Sequence, residues 1–232
     1  MQIEHFTPEI FGTFWLRGIL FAILFVSSLF LIGKNSSKKT QLYLLYGMGI
    51  YQLASSIGLD LGRIVNGTFL LSSHLPLQMC GITTYLSGII VFYRKQFIFE
   101  FLYFWGLAGF IHSVLTPEFT TEINTFTIIN YYVSHSLIFV VPVWLMLMMD
   151  MRLRIGSWWT NFLYTQPLLI FIMIVNWSVG GNYMYLAEAP LAENPLIFTR
   201  VWPWYILTFE FLAILHFLVF YYFGKKSSID KA

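Results

Sequence analysis

The chain has 232 residues, 58% of them hydrophobic and only 10% charged, with a net charge of +2. A soluble domain carries about a quarter charged residues, so this composition excludes an ordinary water-soluble fold. The gaps between apolar stretches are short, which excludes a nucleotide fold or a nucleic-acid-binding domain and predicts one domain over residues 1–232.

Seven apolar stretches follow, at roughly 12–32, 41–63, 75–92, 97–115, 127–149, 158–179 and 203–223. Each is long enough to cross a hydrocarbon core as a helix, which takes about 20 residues. The expected fold is therefore all-α, a polytopic bundle of seven transmembrane helices. Alternate gaps hold Lys34, Lys38, Lys39, Arg94, Lys95, Arg152, Arg154, Lys225, Lys226 and Lys231. The other gaps hold Glu4, Glu9, Glu118, Glu122, Glu188 and Glu193, with Arg200 as their base. Basic loops stay cytoplasmic, so the N-terminus is expected outside and the C-terminus inside. The first stretch lacks a basic flank and is too long for a signal-peptide core, so it reads as a span.

In helix 2, Gln52, Ser56, Asp60 and Arg63 fall on one stripe, with Asp60 and Arg63 spaced to pair at i, i+3. Helix 3 opens after Pro76 and carries Cys80, Thr84 and Gly88 on one face. Helix 4 carries Gly106, Gly109 and Ser113, small residues that let helices approach closely, with His112 near its outer end. Glu100 is the main ionisable group expected in the inner half. Helix 5 offers Asn130 and His135, and Pro142 within it is expected to kink it, as Pro167 is in helix 6. Helix 6 ends with Asn176 and two glycines, and Asn182, Tyr183 and Tyr185 follow in an outer loop. WPWY at 202–205 opens helix 7, placing Pro203 in its first turn beside Trp204, with Glu210 farther in. His5 and His74 read as solvated, and His216 as packing.

Counted from the outer helix ends, Cys80, His135 and Glu210 lie at similar depths of about 8–12 Å. Asp60, His112 and Asn176 lie within a turn of the surface. Ionisable groups inside a membrane are costly and mark function. Cys80 is the sharpest candidate, because a thiol near a helix N-terminus sits where the dipole favours its anion. His135 is the matching base. Cys80 is also the single cysteine, which excludes an intrachain disulfide and a cysteine-cluster metal site. No phosphate loop, metal-ligand spacing or nucleophile elbow occurs, and no metal or other cofactor is expected.

HLPLQMC at 74–80, FEFLYFWGLAGFIHSVLTPE at 99–118, SHSLIF at 134–139, NWSVGGNYMYL at 176–186 and WPWYILTFE at 202–210 together resemble the YwaF-type bacterial integral membrane proteins. Those are similar in turn to a eukaryotic multi-pass membrane acyltransferase family of ether-phospholipid metabolism. The resemblance covers about residues 45–215. It implies a bacterial plasma membrane and a catalytic Cys–His pair, matched here by Cys80 and His135.

The expected activity is acyl transfer between phospholipids, or to a lysophospholipid, through a thioester on Cys80. Asn176, Asn182 or Tyr183 would offer oxyanion donors, and Asp60 or Glu210 would orient His135. Arg63, His112, Asn130, Tyr185 and Trp204 complete the candidate set. The rival reading is a transporter or lipid- or solute-binding protein that uses Asp60, His135 and Glu210 as an intramembrane polar site. A third is an accessory subunit whose polar layer only joins helices.

Overall fold

The computed structural model describes residues 6–119, 123–190 and 197–229. Glu4, His5, Glu122, Glu193 and Lys231 fall outside those residues, as does the side chain of Lys226. Among the described residues there are seven α-helices: α1 (Thr13–Lys34), α2 (Lys38–Val65), α3 (Met79–Ile90), α4 (Gln96–Leu115), α5 (Thr125–Met148), α6 (Ser157–Val179) and α7 (Trp204–Ile229). A single 3₁₀ turn, Tyr183–Tyr185, lies between α6 and α7.

Five of the described helices, α1, α4, α5, α6 and α7, are long and apolar enough to cross a membrane. The second and third apolar stretches differ from expectation. α2 is long, at 28 residues, but its polar stripe keeps it out of that set. α3 has only 12 residues, about 18 Å at helical rise, too short to cross a core of about 30 Å alone. The segment 75–78 stays non-helical because its hydrogen bonds go elsewhere. Leu77 N–H closes a turn on Leu75 O at 2.7 Å, Leu75 N–H goes to Tyr183 Oη, and Pro76 has no N–H. Pro76 therefore precedes α3, and Pro203 likewise stands just before α7.

The chain packs as two compact units, residues 1–56 with 83–151 and residues 57–82 with 152–232. In the first, α1, α4 and α5 pack on one another. Apolar helices in lipid gain nothing by hiding from water, so close packing must hold them. Pro142 cannot donate to the Ile138 carbonyl one turn earlier, and Gly106 of α4 makes room for that carbonyl: a Cβ there would lie 2.2 Å from it. Two rings of α5 fill notches in α1. A Cβ on Gly18 would meet Tyr132 Oη at 2.0 Å, and one on Gly33 would meet the Trp144 ring at 2.4 Å.

Helix ends are tied across the same unit. Trp15 Nε1 donates to Leu115 O at 2.8 Å, and Lys38 Nζ donates to Met148 O at 2.9 Å. Both satisfy carbonyls that a helix C-terminus leaves open. They set the start of α1 beside the end of α4, and the start of α2 beside the end of α5.

In the second unit α6 packs on α7 and on the 3₁₀ turn. Gly180 ends α6 at φ 63°, a left-handed conformation that glycine adopts without strain. Tyr221 Oη accepts Gly156 N–H at 3.2 Å near the opposite end.

Candidate functional site

In the first unit the polar groups converge on α5. Gln52 of α2 is fully buried, and its amide makes three bonds. Nε2 donates to Ser134 O at 3.1 Å and to Ser87 Oγ at 3.2 Å, and Oε1 accepts Ser134 Oγ–H at 2.9 Å. Tyr51 Oη donates to Asn130 Oδ1 at 2.8 Å. These bonds pin α5 in rotation and register just before His135. An amide side chain can do this in lipid without burying a charge.

His135 is half-buried, and its Nδ1 lies 2.7 Å from the Tyr131 carbonyl. A carbonyl only accepts, so Nδ1 carries the proton and Nε2 is the basic nitrogen. The imidazole also lies on the Tyr131 ring, centroids 4.1 Å apart. Among the described residues no carboxylate bonds His135. In the other unit Asp60 pairs with Arg63 at 3.1 Å, and Glu210 accepts Gln166 Nε2–H at 2.9 Å. His112 is half-buried near the end of α4, where its carbonyl accepts from Thr116 N–H and Oγ1.

In the second unit Cys80 is the second residue of α3 and half-buried. His135 is the eleventh residue of α5. Two residues before Cys80, Gln78 Oε1 accepts Met184 N–H at 2.8 Å. Met184 and Tyr185 are both left-handed, at φ 56° and 55°, which costs non-glycine residues about 1–3 kcal/mol each.

Neighbouring bonds hold that strained turn. Asn176 Nδ2 donates to Tyr183 O at 2.9 Å, and Asn176 Oδ1 accepts Tyr183 N–H at 2.8 Å. Tyr183 Oη donates to Leu71 O at 2.7 Å and accepts Leu75 N–H at 2.9 Å. Tyr205 Oη donates to Tyr185 O at 2.8 Å.

These bonds engage the groups expected as oxyanion donors. The single O–H of Tyr183 is committed to Leu71, and burial pushes that phenol above its ordinary value, with the Leu75 N–H opposing. Asn182 Oδ1 accepts both Ala187 and Glu188 N–H, while its Nδ2 donates to Glu188 O. Asn176, Asn182 and Tyr183 thus fold the loop back on α6 and on segment 71–75. Trp204 is 60% exposed at the start of α7, as an interfacial tryptophan would be.

His74 is not simply solvated. It is half-buried, packs at a tilt against the Phe69 ring, and accepts Leu70 N–H on Nδ1 at 2.8 Å. Burial, then the Arg63 charge, lowers its proton affinity, and Asp60 opposes them.

The sequence reading had not placed Gln78, Ser87, Tyr131, Ser134 or Gln166 in the site. Their common signal is an uncharged hydrogen-bonding group in an apolar helix or at its entrance. Gln52 carried that signal most clearly, as the first member of the α2 stripe.

Apolar helices of spanning length, with buried amide and hydroxyl clasps between them, define a multi-pass α-helical membrane protein. The chain belongs to the TMEM164 family, whose family model matches residues 5–221. No curated protein and no solved structure matches it.

Proposed function

We propose that the protein is a membrane-embedded phospholipid acyltransferase or transacylase of the cell membrane, with Cys80 as nucleophile and His135 as base. The observation that carries the reading is the His135 tautomer: Nδ1–H is held by the Tyr131 carbonyl, so Nε2 is the proton acceptor. The resemblance of LPLQMC and SHSLIF to a Cys–His acyltransferase family supports the same pair.

In this reading Nε2 takes the thiol proton and the sulfur attacks a phospholipid ester carbonyl. The ester C–O bond breaks, the lysolipid leaves with the proton from His135, and the acyl group rests as a thioester. His135 then takes the proton of an acceptor hydroxyl, which attacks the thioester and restores the thiolate. Seven crossings with the N-terminus outside fit the same reading, supported by the helix ends that Trp15 and Lys38 tie together.

The test is intact-protein mass spectrometry after incubation with defined phospholipids, with lysolipid release followed in the same samples. Wild type should gain a hydroxylamine-sensitive acyl mass that Cys80→Ser and His135→Ala lack. Neither adduct nor lysolipid, across several lipid classes, overturns the acyltransferase reading in favour of transport or lipid binding.

A further inference from the structure

We propose that Tyr131 is the positioning residue of His135, an inference that rests on the reading of His135 as the base. Three parts of one residue act on the same imidazole. The main-chain carbonyl accepts Nδ1–H at 2.7 Å and so chooses which nitrogen is basic. The phenol ring lies 4.1 Å from the imidazole, centroid to centroid, with 34° between the planes. The hydroxyl donates to Ser113 O at 3.0 Å, anchoring the ring to α4.

That anchor also satisfies a carbonyl of the last turn of α4. Phe119 backs the phenol at 4.4 Å and is itself fixed by two main-chain bonds to Phe6, each 2.9 Å. The imidazole therefore rests on a stack of rings tied down at both ends.

The arrangement solves a problem that lipid creates. A base that takes a proton becomes a cation, and soluble triads answer with a carboxylate. A second buried charge is costly in a membrane. A carbonyl on Nδ1–H and the negative face of a phenol stabilise the imidazolium without one. Tyr131 thus takes the place of the third group in a triad, acting through His135 and not on substrate.

The test uses Tyr131→Leu and Tyr131→Phe in the full chain, with isotope-labelled histidine. The His135 ring signals are identified by their loss in His135→Asn. Tyr131→Leu should remove the ring-current displacement of those signals, and Tyr131→Phe should retain it. Acyl-transfer kcat should fall about tenfold in Tyr131→Leu at nearly unchanged KM, the scale of a small misplacement, and largely recover in Tyr131→Phe.

Phe119→Leu is the second variant. It leaves both His135 contacts in place and should move the same signals by a smaller amount. His135 signals unmoved in both leucine variants overturn the proposal. A wild type that forms no acyl-enzyme sinks the acyltransferase reading alone, because the ring signals still report whether Tyr131 places His135.

Discussion

In the unit that carries His135 three helices pack on one another, whereas in the unit that carries Cys80 the packing of α6 on α7 is joined by loops bonded to helix ends. In the first, 72% of the apolar window of α4 and 61% of that of α5 are buried. In the second, the figures are 17% for α6 and 11% for α7, against 17% for α1 of the first unit, so α4 and α5 are the pair most fully enclosed. A buried helix fixes its side chains by packing; a lipid-facing helix leaves that work to hydrogen bonds at its ends. The two candidate residues thus owe their placement to different forces, and different substitutions should dislodge them.

The largest effect is expected where Gly106 of α4 meets the backbone of α5. Gly106→Val would drive side-chain carbon into the Ile138 carbonyl, which backbone cannot yield cheaply. It should destabilise the protein by about 3 kcal/mol or more, seen as a lower thermal midpoint in detergent. A Gly106→Val protein as stable as wild type would break the view that α4 and α5 meet by backbone approach.

Asn176→Ala tests the other unit. It removes both bonds to the Tyr183 backbone and releases the strain at Met184 and Tyr185. A loss on the order of 2 kcal/mol is expected, with faster proteolysis between residues 180 and 190. Equal cleavage of both proteins would show that the loop does not depend on Asn176.

The smallest effect is a pH dependence at His74. Its proton affinity is lowered in the fold, so the folded state binds fewer protons than the unfolded chain. The stabilisation is complete above the ordinary histidine value of about 6.5 and is lost as pH falls through the lowered one. Protonation also turns Nδ1 from acceptor to donor and breaks the bond from Leu70 N–H. Hydrogen-exchange protection at Leu70 should fall on acidification in wild type and hold in His74→Gln, whose amide oxygen can still accept. Protection that ignores pH in wild type removes the sensitivity.

Much of this was legible along the chain. The bounds of α1, α4, α5 and α6 match the apolar stretches to within a few residues, because spanning helices need only length and hydrophobicity. The Asp60–Arg63 pair was readable from its i, i+3 spacing, and the end of α6 from its glycines. α3 was not, because Met184 and Tyr183, more than a hundred residues on, bond Gln78 and Leu75 at its entrance. The orienting partner of His135 was missed because the carbonyl of Tyr131 belongs to every residue type. Only its ring and hydroxyl are peculiar to tyrosine.

By itself the sequence determined a multi-pass helical membrane protein with a small set of polar groups on its apolar helices, since the bilayer reads composition over about 20 residues. Tertiary structure alone decided what those groups do. Gln52 clasps α5, Tyr183 locks a loop, and Tyr131 holds an imidazole, because a buried polar group takes whichever partner the packing brings within about 3 Å.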